Sequence, residues 1–227
     1  MKERLLVASE IGDLGKVRAL LAKGIDPNVR DEYGYTPLIL ASSEGKVEIV
    51  RELLNKGADP NSKTTSNWTP LLWAAAMDHP EVVKLLLANG AETEARDPYG
   101  ATPLMKACRR GHEETARLLI AAGALVNVED QYGWTPLMRA CRRGNLTVIG
   151  MLLEIGADLE TKDQYGATAL IIAASEYRTE VVKTLLAHGA EASAKDRNGW
   201  TALMWAASMG YMPIVEILKE HNAKRAS

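Results

Sequence analysis

Apolar and polar positions along this chain follow a long, regular beat. It is clearest in TPLMKACRRG, residues 102–111, and TPLMRACRRG, residues 135–144, which differ at one position. Wound at about 100° per residue, Leu104, Met105, Ala107 and Cys108 fall on one side of a helix and Lys106, Arg109 and Arg110 on the other. The second stretch repeats this with Leu137, Met138, Ala140 and Cys141 inward and Arg139, Arg142 and Arg143 outward. A second kind of helix follows the first, as at Val47, Val50, Leu53 and Leu54, whose spacing makes one apolar face.

The beat has a fixed period. Thr36, Thr69, Thr102, Thr135, Thr168 and Thr201 stand 33 residues apart, each followed by Pro or Ala and then Leu. Thr before Pro starts a helix, the hydroxyl capping free amides and Pro taking the first turn, where no N–H is missed. Glycines such as Gly45, Gly111 and Gly144 end the first helix, and Gly57, Gly90 and Gly123 end the second. A polar stretch such as ADPNSK leads on to the next copy. One helix pair cannot cover its own apolar faces, so the copies must stack. Residues 1–30 read as an N-terminal capping repeat without the Thr-Pro start, 31–195 as five internal repeats and 196–227 as a C-terminal cap, within a single domain, 1–227. In that last repeat Lys219 completes a column of Leu and Ile, and Asn222, which tolerates a left-handed backbone, completes the column of glycines.

These residues resemble ankyrin repeats, which share the 33-residue period and a T-P-L-H-x-A signature. The resemblance covers essentially the whole chain. It implies an all-α solenoid of stacked helix-turn-helix units with β-hairpin-like fingers at D-x-Y-G. Fingers and first helices would line a concave, partner-binding side. The signature histidine is replaced by Ile39, Leu72, Met105, Met138, Ile171 and Met204, so apolar contact should hold neighbouring first helices together. Asp78 and Tyr177 stand where the inter-helix glycine belongs, and Asn67 where the finger glycine belongs. A bulky residue is strained there, so Tyr177→Gly is expected to raise stability.

Composition narrows the function. With 47% hydrophobic and 25% charged residues and a net charge of −2, the chain is ordinary in composition and lacks the basic excess of a nucleic-acid binder. No apolar run approaches the ~18 residues of a membrane span. Cys108 and Cys141 occupy equivalent helix positions and are expected to be buried, reduced thiols, which suits a reducing, cytoplasmic setting. No Cys, His or carboxylate set has metal-ligand spacing, and no phosphate loop or nucleophile motif is present. A non-catalytic monomer without cofactor is the reading.

Against a slightly acidic background, Lys106, Arg109, Arg110, Arg139, Arg142 and Arg143 stand out as a basic face. All five tryptophans and five tyrosines fall in fingers or outward helix positions, with the core left to aliphatics. Trp, Tyr and Arg dominate interface hot spots. The predicted function is therefore binding of an acidic or phosphorylated protein segment, with Trp73, Tyr99, Tyr132 and Trp134 adding packed surface. Two alternatives stand beside it: an extended apolar or proline-containing peptide, or an engineered scaffold without a ligand. A methyl-lysine cage at Trp68 and Trp73 is disfavoured, because Lys106 brings a cation where such a cage needs none.

Overall fold

The computed structural model describes residues 2–226, and among these it is all-helical, with fourteen helices. The first-helix series runs α1 (Lys2–Ile11), α3 (Pro37–Ser43), α5 (Pro70–Met77), α7 (Pro103–Arg110), α9 (Pro136–Arg143), α11 (Ala169–Ser175) and α13 (Ala202–Ser208). The second series is α2 (Leu14–Ala22), α4 (Val47–Asn55), α6 (Pro80–Ala88), α8 (Glu113–Ala121), α10 (Leu146–Glu154), α12 (Thr179–Ala187) and α14 (Met212–Ala226). Each of the six periodic threonines accepts a hydrogen bond from the amide three residues on, as at Thr135 and Met138, 3.3 Å. The hydroxyl satisfies an amide that the helix leaves unpaired at its start.

The chain divides into two compact units, Met1–Ala107 with Glu114–Ala124, and Cys108–Glu113 with Leu125–Ser227. In the first, α3 packs between α1 and α5, and α4 between α2 and α6. In the second, α11 packs between α9 and α13, α12 packs against α14, and each first helix lies on its own second helix. Leucine, isoleucine, valine, methionine and alanine fill both cores: Leu38, Ile39, Leu71 and Leu72 in one, Leu137, Met138, Ile149 and Leu152 in the other, all at most 1% exposed. Ile39, Leu72 and Met138 hold the signature-histidine place by apolar packing.

Side chains tie successive repeats together. Asn61 donates to the Gly90 carbonyl at 2.9 Å and accepts from the Glu92 amide at 2.8 Å, and Asn127 does the same with Gly156 and Asp158. The fingers are tight turns, and no strand occurs among the described residues. They are linked by single backbone hydrogen bonds, such as Gln164 N–H to Tyr132 C=O at 2.9 Å.

Two expectations need correction. Asn222 does not end its helix, since α14 runs on to Ala226 and Asn222 has no left-handed backbone. Tyr177 is left-handed as the register requires (φ 56°), but its ring packs on Tyr211 with centroids 4.7 Å apart. Relief of left-handed strain by Tyr177→Gly, about 1–2 kcal/mol, is thus opposed by loss of a ring pair of about 0.5–1.5 kcal/mol and by the freedom glycine adds to the unfolded chain, about 0.4–1 kcal/mol. The stability gain disappears.

Candidate partner-binding surface

The finger of nearly every repeat carries an aspartate that organises the turn. Asp130 Oδ1 accepts the amides of Tyr132 and Trp134 at 2.9 and 3.1 Å, and Asp31, Asp97, Asp163 and Asp196 do likewise in their own fingers. In three of these fingers Oδ2 accepts from the first-helix residue nine positions on. Lys106 Nζ donates to Asp97 Oδ2, Arg139 Nη2 to Asp130 Oδ2, and the Trp205 indole to Asp196 Oδ2 at 2.9 Å. In the third repeat Thr64 replaces the aspartate, and the buried Trp73 Nε1 has no partner among the described residues. Burial works upward on the Asp196 carboxyl. The hydrogen bonds from Trp200, Trp205 and Asn198 outweigh it and hold the group below its usual value.

The structure therefore divides the six predicted cations into two sets. Lys106 and Arg139 are committed to finger carboxylates that are nearly fully covered, 1% and 0% exposed. Arg142 pairs with Glu176 at 3.0 Å on the surface, where such a pair contributes little. Arg139 and Arg142 both lie over the Trp134 ring, at 4.8 and 5.4 Å, and Lys106 lies over Trp68 at 4.6 Å. Arg109, Arg110 and Arg143 form the other set. No carboxylate pairs with any of them among the described residues.

These three line an open hollow of about 560 Å³ with His112 and Asn145, all in the second unit. Asn145 is fixed by donating to the Cys108 carbonyl at 2.8 Å, and Gly111 leaves it room, since a Cβ there would meet its amide at 2.7 Å. The Arg109 guanidinium is held below its ordinary pKa, first by burial and then by the charges of Arg139, Arg143, Arg110 and Arg142. All four arginines of the RR pairs stand in the last turn of a helix, where the dipole favours cations. That local benefit leaves their mutual repulsion without an internal counter-charge at Arg109, Arg110 and Arg143.

The aromatic candidates also separate. Trp73 is half-buried in the first unit against Trp68 and Tyr35, with centroids 4.4 and 6.4 Å away. Tyr99 of that unit is 57% exposed. Tyr132 is 36% exposed in the second unit, and Trp134 lies beneath the two arginines. His79 Nε2 lies 3.0 Å from the Ser43 carbonyl, a structural tie between repeats. Cys108 and Cys141 are free, fully buried thiols whose pKa burial pushes far up. Among the described residues no group of three His, Cys, Asp or Glu is arranged to hold a metal, and no helix is long and apolar enough to cross a membrane. Pairing of the cations with Glu or Asp of nearby fingers, the alternative to a binding face, holds for Lys106 and Arg139. The constant nine-residue lead of the finger aspartates over the outward helix position was the available signal.

A family model described as ankyrin repeats matches in three copies, over residues 5–97, 89–163 and 155–226. A search of curated proteins gives no match. Among solved structures, the human ASB11 ankyrin repeat domain is similar at 29% identity, with 96% of each chain covered and a TM-score of 0.85. Matched over nearly its whole length, the chain belongs to the ankyrin repeat family, whose repeats serve generally as non-catalytic protein-interaction modules.

Proposed function

We propose that this ankyrin repeat protein binds an acidic or phosphorylated segment of a partner, with Arg109, Arg110 and Arg143 supplying the charge. The observation that carries the reading is that these three cations have no carboxylate partner among the described residues while their neighbours do. Guanidinium forks match carboxylate and phosphate geometry, and a partner's anion would relieve the repulsion that adds to burial in depressing the Arg109 pKa. Tyr132, exposed in the same unit, offers stacking surface. Lys106 and Arg139 act through the fingers, holding the turns in place, and Trp73 and Tyr99 stand in the first unit.

An array of acidic, phosphorylated and neutral peptides, probed with wild type and with the Arg109→Gln/Arg110→Gln/Arg143→Gln variant, tests this. Wild type should retain acidic or phosphorylated members and the variant should lose them. Equal retention by both proteins refutes the assignment. Retention of neutral apolar peptides instead would select the alternative ligand class, whose physical support is the hollow of about 500 Å³ beside Tyr33, Tyr35, Leu40 and Trp73.

A further inference from the structure

We infer that the second unit has a separate pocket, beside Asp163, that receives a lysine or arginine side chain of a partner protein. Asp163 repeats the finger role of Asp130: its Oδ1 accepts the amides of Tyr165 and Ala167, both at 2.9 Å. The residue nine positions on is Ile172, which has nothing to donate. Asp163 is 6% exposed, and its Oδ2 has no partner among the described residues. It borders an open hollow of about 440 Å³ walled by Trp134, Tyr165 and Trp205.

The other repeats show what belongs there. Lys106 reaches Asp97, Arg139 reaches Asp130 and the Trp205 indole reaches Asp196, so a donor from within the chain occupies each of those Oδ2 atoms. Where the donor is replaced by an aliphatic residue, a hollow stands beside the aspartate. This holds for Ile172 in the second unit and for Leu40, with Asp31, in the first. The chemistry missing from Asp163 is thus the chemistry present at Asp130: a cation on an alkyl stem.

Charge and walls favour the same occupant. Glu176, Asp163 and Asp196 border the hollow with a single guanidinium, Arg142. Arg142 is already paired with Glu176, so neither Asp163 nor Asp196 has a cation among the described residues; Asp196 Oδ2 accepts from the neutral Trp205 indole, and Asp163 Oδ2 has no donor. Aromatic faces attract a cation and cover its methylene stem. The Asp163 residue is largely covered while its Oδ2 opens on the hollow, so a charged donor entering there can reach it. The inference does not depend on Arg109, Arg110 and Arg143.

The test titrates acetyl-Ala-Ala-Arg-Ala-Ala-amide, its lysine counterpart and its norleucine counterpart into the full chain, following the Trp134 and Trp205 indole N–H resonances. Saturable shifts are expected with arginine or lysine and none with norleucine. Asp163→Asn keeps the Oδ1 acceptor of the turn and should weaken binding at least about tenfold. Ile172→Arg should abolish the shifts, because its guanidinium would sit on Asp163 as Arg139 sits on Asp130. The Arg109→Gln/Arg110→Gln/Arg143→Gln variant should bind these probes unchanged, which separates this pocket from the anion site. No saturable shift with either cation, equal shifts with norleucine, or undiminished binding by Asp163→Asn or Ile172→Arg overturns the inference.

Discussion

Asp130 and Arg139 show how one residue's role depends on what its neighbour leaves unsatisfied. The Asp130 side chain is fully covered, and Arg139 is 17% exposed. Arg139→Met would strand a buried carboxylate oxygen, a loss of about 2–4 kcal/mol. Arg143→Gln breaks no pair among the described residues and should stay within about 0.5 kcal/mol of wild type. Urea unfolding of the two variants measures the contrast, and equal losses would dissolve the distinction between the two sets of cations. The reverse experiment is Thr64→Asp. It restores an acceptor opposite the buried, unpartnered Trp73 Nε1, copying Asp196 and Trp205, and should stabilise the chain by about 1 kcal/mol. An unchanged melting temperature would show that Trp73 does not need that acceptor.

At the scale of the element, α7 and α9 carry opposite demands on their two faces. Arginines crowd the last turn, while Cys108 and Cys141 sit inside at 0% exposure. Burial raises both thiol pKa values in the folded state, so the unfolded chain ionises first. The stability they contribute is complete below the ordinary thiol pKa of about 8.5 and declines above it, by up to about 2.7 kcal/mol per pH unit for two groups. Denaturant midpoints between pH 7 and 10 should fall on that limb, and the Cys108→Ala/Cys141→Ala protein should show a shallower fall. A disulfide-exchange reagent should react only as the chain unfolds. Both helices and their inward cysteines were legible in the sequence, because a repeat without insertions fixes the angle of every side chain. The end of α14 was not. Asn222 permits a left-handed turn without requiring one, and nothing after it stops the helix.

Across the whole molecule, the repeat period, the caps on the first helices and the unusual backbone at Asn67, Asp78 and Tyr177 could all be read from spacing. The division of the cations could not. Placing Lys106 and Arg139 on an outward arc says where they point but not that a finger nine residues earlier folds back to meet them. Only the folded turn turns that sequence separation into a contact. What remains after these pairings is a chain of net charge −2 with three unmatched arginines in one hollow. The central claim is that they are kept for a partner's anion and not for stability. Its most direct measurement is the affinity for a phosphoserine-containing acidic peptide, followed by fluorescence anisotropy from low to high salt, beside the urea midpoint of the same samples. The expected result is a wild-type affinity that falls steeply as salt shortens the range of the charges, and an Arg109→Gln/Arg110→Gln/Arg143→Gln variant that loses the peptide while its midpoint holds or rises. A variant that binds as well as wild type, or one whose midpoint drops, would contradict the account.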